Sequence, residues 1–442
     1  MWQAEDKSVT LIDVPTSISS AQRCYHDNSG RDVLLSTEPL EEPYQTNEPK
    51  SAAARAKLVN NTVDAALHVE YAALLEAALG KTRASHVGDW CLPRPFIEPA
   101  TRGNKKRKLH DETSNTESQT HPPGTLEDAL PQREVPSDLS HTLLPHLSEQ
   151  SITHVHGIDD TDNFESAEHD QAVLGDQMRT ATDHEELSFT DPSNPAASFK
   201  FLLPPGSSFI LGTCSDARTL HTSNRAQSQE LEVPRTFDFV LLDPPWPNSS
   251  VKRTHKTANS TYSTSPSLYD IQQLLMGMDL DVLMADQCLV AIWITNKPAV
   301  RDLVLGEDGL FDCCGVELIE EWIWLKTTKS GDPVTPIDSV WRKPYEILLL
   351  GRKRRRYKGA SDEASGDGGA RKRRVLVSIP DLHSRKPCLK SLVEELVPDP
   401  NHYRALEVFA RHLVAGWWSW GDECIKFNWK GYWRTGEDSN ER

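Results

Sequence analysis

The chain has 442 residues, 65 acidic against 48 basic side chains, and only 37% hydrophobic residues, so part of it buries too little apolar surface to pack. It contains no run of eighteen apolar residues and no apolar segment near Met1, so neither a membrane span nor a signal peptide is expected. Its eight cysteines form no C-x-x-C pair, which argues against a zinc site and for a reducing compartment.

The charge is unevenly placed. Between Asp111 and Asp191 there are 19 acids and 2 basic residues, and the remainder of the chain is formally neutral. The acidity therefore belongs to one segment and does not argue against nucleic-acid binding elsewhere.

In chain order, residues 1–50 are polar with little periodicity and read as disordered or irregular. Residues 51–100 hold a helical segment. From Ser51 to Gly80 the apolar Val63, Ala66, Leu67, Tyr71, Leu74, Leu75 and Ala78 recur at helical spacing, with Gly80 as a stop. Such a helix needs a partner surface, with Trp90 as a possible pin. Residues 101–195 read as an acidic disordered linker, whose basic cluster at 104–108 (NKKRK) fits a nuclear-import signal or a solvated charge run. The seven histidines between residues 111 and 195, His154 and His156 among them, sit in no helical frame and read as solvated, with no metal expected.

Order returns near Ser198, and residues 196–434 alternate strand and helix patterns, the mark of an α/β domain with a mostly parallel sheet. The polar loop Thr213-Cys214-Ser215-Asp216 follows one strand end. The central stretch is FDFVLLDPPWPN, residues 237–248. Its short apolar run fits a buried strand, ended by two prolines that cannot continue a sheet. Ligands gather at the carboxyl ends of strands in open α/β sheets. Asp243 and the Pro244 carbonyl can accept the two protons of an exocyclic amine, and Trp246 offers a stacking face. The Ser249–Ser267 loop reads as a lid or clamp with Lys252 and Arg253 for phosphates, or as a plain surface loop. Leu268 to Leu283 reads as a helix. Strands at 345–350 and 375–379 look paired as a hairpin around a basic insertion, 351–374, suited to nucleic acid or import. Residues 435–442 read as a tail.

Four blocks, DPPWPNSSVKR, WRKPYE, HSRKP and FARHLVAGWWSWGDE, resemble the eukaryotic MT-A-type adenine-N6 methyltransferases, in particular the methyltransferase-like protein 4 branch, over roughly Ser198 to Tyr432. The resemblance implies a Rossmann-like S-adenosylmethionine-dependent methyltransferase domain with permuted motif order, which accounts for the absence of G-x-G-x-x-G. It implies catalytic residues Asp243, Pro244, Pro245 and Trp246, and cofactor contacts at Asp216, Asp243, Ser384, Lys386, Glu407, Arg411, His412, Asp422 and Glu423. Substrate contacts fall at Asn248, Lys252, Arg253, Lys343 and Glu346. Where the family usually carries Asn, this chain has Asp422, which accepts but does not donate when ionised.

The implied function is nuclear N6-adenine methylation of nucleic acid, leaning to RNA of the small nuclear type. DNA methylation, or a non-catalytic nucleic-acid-binding subunit, is the alternative. A partner subunit is allowed, and the chain itself is expected to be monomeric or weakly associated.

Overall fold

The central stretch forms a buried strand because its apolar residues face helices on both sides of the sheet. The computed structural model describes residues 1–23, 33–45, 65–97, 143–157, 185–191, 194–247, 267–339, 342–355, 372–382 and 384–434. In chain order the strands begin with β1 (Trp2–Gln3), β2 (Val9–Leu11), β3 (Val33–Leu34), β4 (Ile152–His154), β5 (Glu185–Asp191), β6 (Asn194–Leu203), β7 (Ser208–Leu211) and β8 (Phe237–Leu242). They continue with β9 (Met284–Ile294), β10 (Val316–Lys326), β11 (Tyr345–Lys353), β12 (Lys372–Ser378), β13 (Ala405–Val408), β14 (Trp417–Gly421) and β15 (Trp433–Arg434). The helices used below are α1 (Val14–Ala21), α2 (Ala65–Ser85), α3 (Leu144–Glu149), α4 (Ala217–Glu230), α5 (Leu268–Met276) and α6 (Pro298–Leu305).

Eleven strands make one mixed sheet in the order β1-β2-β12-β10-β11-β9-β8-β13-β14-β7-β4. From β9 through β8, β13 and β14 to β7 every pairing is parallel, so this half of the sheet collects its carboxyl ends along one edge. From Phe239 onward β8 alternates between two cores, and an irregularity between Phe237 and Phe239 sets Phe237 with the even-numbered residues. Phe237, Val240 and Leu242 pack on the side of α2, and Phe239 and Leu241 on the side of α1.

Several expectations change. Residues 1–23, read as irregular, supply β1, β2 and α1; β2 pairs parallel with β12, and Val14 and Ile18 are fully buried. The segment is short and polar on one face, so its periodicity is visible only once the sheet edge it covers is known. Helix α2 runs through Gly80 to Ser85. Nothing lies within 4 Å of where a Gly80 side chain would start, while buried Leu79 and Thr82 and the Lys81–Asp6 ion pair hold the flanking turns.

Part of the acidic stretch also folds. Helix α3 is anchored by Leu144 and Leu147, β4 extends the sheet by pairing with β7, and His154 stacks on Phe209 at 5.5 Å. The helix expected over Leu268 to Leu283 breaks into α5 and a 3₁₀ turn at Leu280–Leu283, with Gly277 between them. The block from Trp417 begins with strand β14, which ends at Gly421, so Asp422 and Glu423 follow its carboxyl end.

The expected hairpin between β11 and β12 does not form, because β10 lies between them. A hairpin would set the basic runs at 352–356 and 371–374 opposite each other. Instead Glu320 and Glu321 of β10 take Arg374 and Arg373, and the Lys353 ammonium is bound by backbone carbonyls of Asp281 and Met284. These flanking cations thus serve the fold. The cluster at 104–108 and most of the Ser249–Ser267 loop lie outside the described residues, as do insertion residues 356–371.

Candidate active site

Three strand ends meet where β8, β13 and β9 stop. The Pro244-Pro245 pair turns the chain off β8, and the Trp246 backbone N–H donates to the Pro244 carbonyl at 2.8 Å. A carbonyl oxygen has a second lone pair, so Pro244 retains acceptor capacity. The Trp246 indole is fixed at one edge by its Nε1 donating to the Trp293 carbonyl at 2.7 Å.

Asp243 stands at the centre of an ion cluster. Lys386 Nζ lies 2.8 Å from each of its carboxylate oxygens, and Arg411 donates to Oδ2 at 3.0 Å. Glu346, at the start of β11, lies 3.5 Å from the same Lys386 and 2.5 Å from Lys326 Nζ. Burial opposes ionisation of Glu346, yet the two ammoniums bring its pKa down to about 2. Glu423, after β14, pairs with Arg411 at 3.3 Å and Lys426 at 2.7 Å. The cluster therefore ties six separate parts of the chain to one point.

Beside it lies a cavity lined by Asp243, Ser384, Lys386, Glu407, Arg411 and His412, with Trp293 and Trp417 on its apolar side. Glu407 projects from β13. Burial, reinforced by the charge of Asp243, pushes its pKa up to about 8, so near neutral pH it is mostly a neutral acid that can both donate and accept. His412 is buried; loss of solvent and the charge of Arg385 lower its pKa to about 4, and its Nε2 has no hydrogen-bond partner among the described residues. An unpaired buried imidazole nitrogen, two cations and a neutral acid around one cavity suit a ligand with a carboxylate and sugar hydroxyls.

The backbone is strained at this place. Ser384 and Phe409 both adopt the left-handed region, at φ of 66° and 61°. Such conformations in non-glycine residues cluster where a loop must be held for function.

The MT-A70 family model matches residues 237–423. Over 98% of this chain and 93% of the relative, the sequence is 32% identical to the N6-methyladenosine RNA methyltransferase MTA1 of Cryphonectria parasitica. The chain belongs to the MT-A70 family. It is also 37% identical to the human N(6)-adenine-specific methyltransferase METTL4 over 53% of this chain and 45% of that protein. A DNA N6-methyl methyltransferase of Caenorhabditis elegans is 30% identical over 51% and 53% of the two chains.

Within this MT-A70 chain the structure gathers Asp243, Pro244, Trp246, Ser384, Lys386, Glu407, Arg411, His412, Glu423 and Glu346. Pro245 is exposed on the outside of the turn. Lys386, expected to pair with a ligand carboxylate, pairs here with Asp243 and Glu346. Asp216 caps helix α4, accepting from the Thr219 hydroxyl at 2.6 Å and its backbone N–H at 3.4 Å. Lys343 turns to the opposite face of β11 and bonds His68 of α2 at 2.6 Å. Asn248, Lys252 and Arg253 lie outside the described residues.

Asp422 follows the end of β14, and burial together with Glu423 raises its pKa. The sequence reading missed three contributors. Trp293 and Trp417 were hidden inside hydrophobic strands, and Lys326 ends β10 without a local motif. Arg385, visible inside HSRKP, proves fully buried and paired with Asp381 at 2.8 Å.

Proposed function

We propose that the chain transfers a methyl group from S-adenosylmethionine to the N6 amine of adenosine in RNA, in the nucleus. The observation that carries this is the DPPW turn at the central strand end, with its Asp243 carboxylate held by Lys386 and Arg411 beside a small cavity lined by Ser384, Glu407 and His412. The adenine is presented unpaired or extruded, which single-stranded RNA allows without opening a duplex.

S-adenosylmethionine, when bound, supplies an electrophilic methyl on a sulfonium. Lys386 and Arg411 would hold its carboxylate, and Glu407, His412, Asp422 and Glu423 its ribose and adenine edges. Asp243 and the free lone pair of the Pro244 carbonyl accept from the target amine, which orients its nitrogen lone pair toward the methyl. Trp246, anchored through Trp293, stacks on the base. On this reading Asp243, which accepts from that amine, would also take the proton it loses as the methyl is transferred. Rate enhancement on this reading comes from positioning and from a dry, aromatic cavity wall.

RNA is favoured because the relative that spans nearly the whole chain is named for RNA. The basic run at 104–108 supports nuclear import. The test incubates purified protein with labelled S-adenosylmethionine and matched single-stranded RNA and DNA, alongside Asp243→Ala, and measures N6-methyladenine after digestion. Label on RNA that vanishes in the variant is expected. Label on DNA alone reverses the substrate, no label with either despite cofactor binding points to a missing partner or another substrate, and no cofactor binding returns the chain to a binding subunit.

A further inference from the structure

We propose that a second cavity, across the sheet from the Lys386 loop, seats the nucleotide next to the target adenine; this rests on the reading of the chain as an RNA adenine methyltransferase. Trp293 and Ile294 are consecutive in β9 and so face opposite sides of the sheet. Trp293 lines the cavity beside Asp243, whereas Ile294 lines this second one, of about 520 Å³. The DPPW turn is the ridge between them. Its Pro247 carbonyl accepts from the Lys297 ammonium on the rim of the second cavity, and Trp246 is tied to the same strand end. A strand whose target base lies against Asp243 and Trp246 must pass this ridge, and the cavity is of a size that holds one nucleoside.

The lining is chemically specific. It includes Leu67 from α2, Ile294, Thr295, Asn296, Lys297 and Ile347. Thr295 Oγ1 and Asn296 Oδ1 are buried and have no hydrogen-bond partner among the described residues. Asn296 Nδ2 donates to the Tyr345 carbonyl at 2.9 Å, which fixes the amide and leaves Oδ1 as an acceptor waiting for a donor. Buried polar atoms are nearly always paired, so two orphans in one cavity call for a ligand with polar edges. A base edge or a ribose hydroxyl supplies the donor. Arg301 is not available for a phosphate, since its guanidinium pairs with Glu321. The cavity is therefore suited to reading the nucleoside itself, and Thr295 and Asn296 would set which base is accepted beside the target.

The test uses the full chain and a single-stranded RNA with one adenine, carrying 4-thiouridine on either its 5′ or its 3′ side. After irradiation and digestion, mass spectrometry maps the crosslinked peptide, and methyl transfer to the same RNA is measured in parallel. One of the two probes is expected to crosslink within residues 293–306 or 65–72. Thr295→Val, which keeps the shape and removes the hydroxyl, should lower that yield about fivefold, as loss of one hydrogen bond implies. Crosslinks confined to other segments, or absent, overturn the subsite. Transfer without a crosslink there removes the subsite and leaves the enzyme reading. A crosslink there without transfer does the reverse.

Discussion

The Lys386 ammonium sits symmetrically on the Asp243 carboxylate, 2.8 Å from each oxygen. Two acids, Asp243 and Glu346, therefore share one cation. Lys386→Met keeps much of the side-chain length and removes the charge, leaving Asp243 with Arg411 alone and Glu346 with Lys326. Methyl transfer should fall by about 10²-fold or more, the size seen when one preorganised charge contact is lost at a reacting centre. Lys386→Arg should recover part of it. Single-turnover rates, with cofactor affinity from calorimetry, separate the lost positioning from lost binding. A rate within a few-fold of wild type would sink the assigned role.

Glu407 offers a test by pH. Its folded pKa, about 8, lies above the ordinary carboxyl value, so the folded state binds the extra proton. The stability it contributes is fully present at low pH and is lost as pH rises through about 8. Thermal denaturation of the wild type should therefore show a Tm that falls from about pH 5 to about pH 8 and levels off above. Glu407→Gln mimics the protonated acid and should flatten that limb while cofactor binding persists. An unchanged slope in the variant would assign the titration to another group.

His412 has the opposite dependence. Its folded pKa, about 4, lies below the ordinary imidazole value, so the unfolded chain takes up the proton first as pH falls. Stability is complete above about pH 6.5 and is lost progressively toward pH 4, by up to roughly 3 kcal/mol. His412→Phe keeps a ring and removes the titration. It should flatten stability over that window and also weaken cofactor binding, because Nε2 is no longer present. Urea unfolding at pH 7, 6 and 5 measures the first effect. A variant as acid-sensitive as wild type would disprove it.

The core of this site was legible because its chemistry is local. Asp243, Pro244, Pro245 and Trp246 are contiguous, and the strand before them is uniformly apolar. The helix Pro298–Leu305 was equally plain, with proline at its start. What stayed hidden depends on pairing between distant parts. Glu320 and Glu321 look like surface acids until Arg373 and Arg374 are set beside them by parallel pairing of β10 and β12. The same pairing dissolves the expected hairpin. Residues 1–23 lack a long periodic run, and only the exposed edge of β12 makes three residues at Val9–Leu11 a strand. Thr295 and Asn296 carry no motif, and their unpaired atoms are visible only in three dimensions.

The N-terminal segment is built into the methyltransferase domain. Arg94 donates to Asp13 at 2.7 Å and to Ser36 at 3.0 Å, and Ser36 donates to Asp381 at 2.8 Å. Asp381 accepts the Thr37 backbone N–H at 3.0 Å and pairs with Arg385, which also donates to the Leu35 carbonyl at 2.8 Å. Both Asp381 and Arg385 are fully buried, and Arg385 lies over the rings of Phe427 and Tyr432. The next residue along is Lys386. Asp13, Leu35, Ser36, Thr37 and Arg94 thus hold the loop that holds Asp243. Asp381→Asn leaves a buried guanidinium without its counter-charge and should cost about 3–5 kcal/mol. Ser36→Ala removes one hydrogen bond to the same carboxylate and should cost about 1 kcal/mol, so it folds and isolates the effect on the loop. In that variant cofactor affinity should fall while Tm moves by only a few degrees. A fragment of residues 196–434 should fail to bind cofactor as the full chain does. If the fragment binds as tightly, the N-terminal segment is a passenger and the buttress has no role.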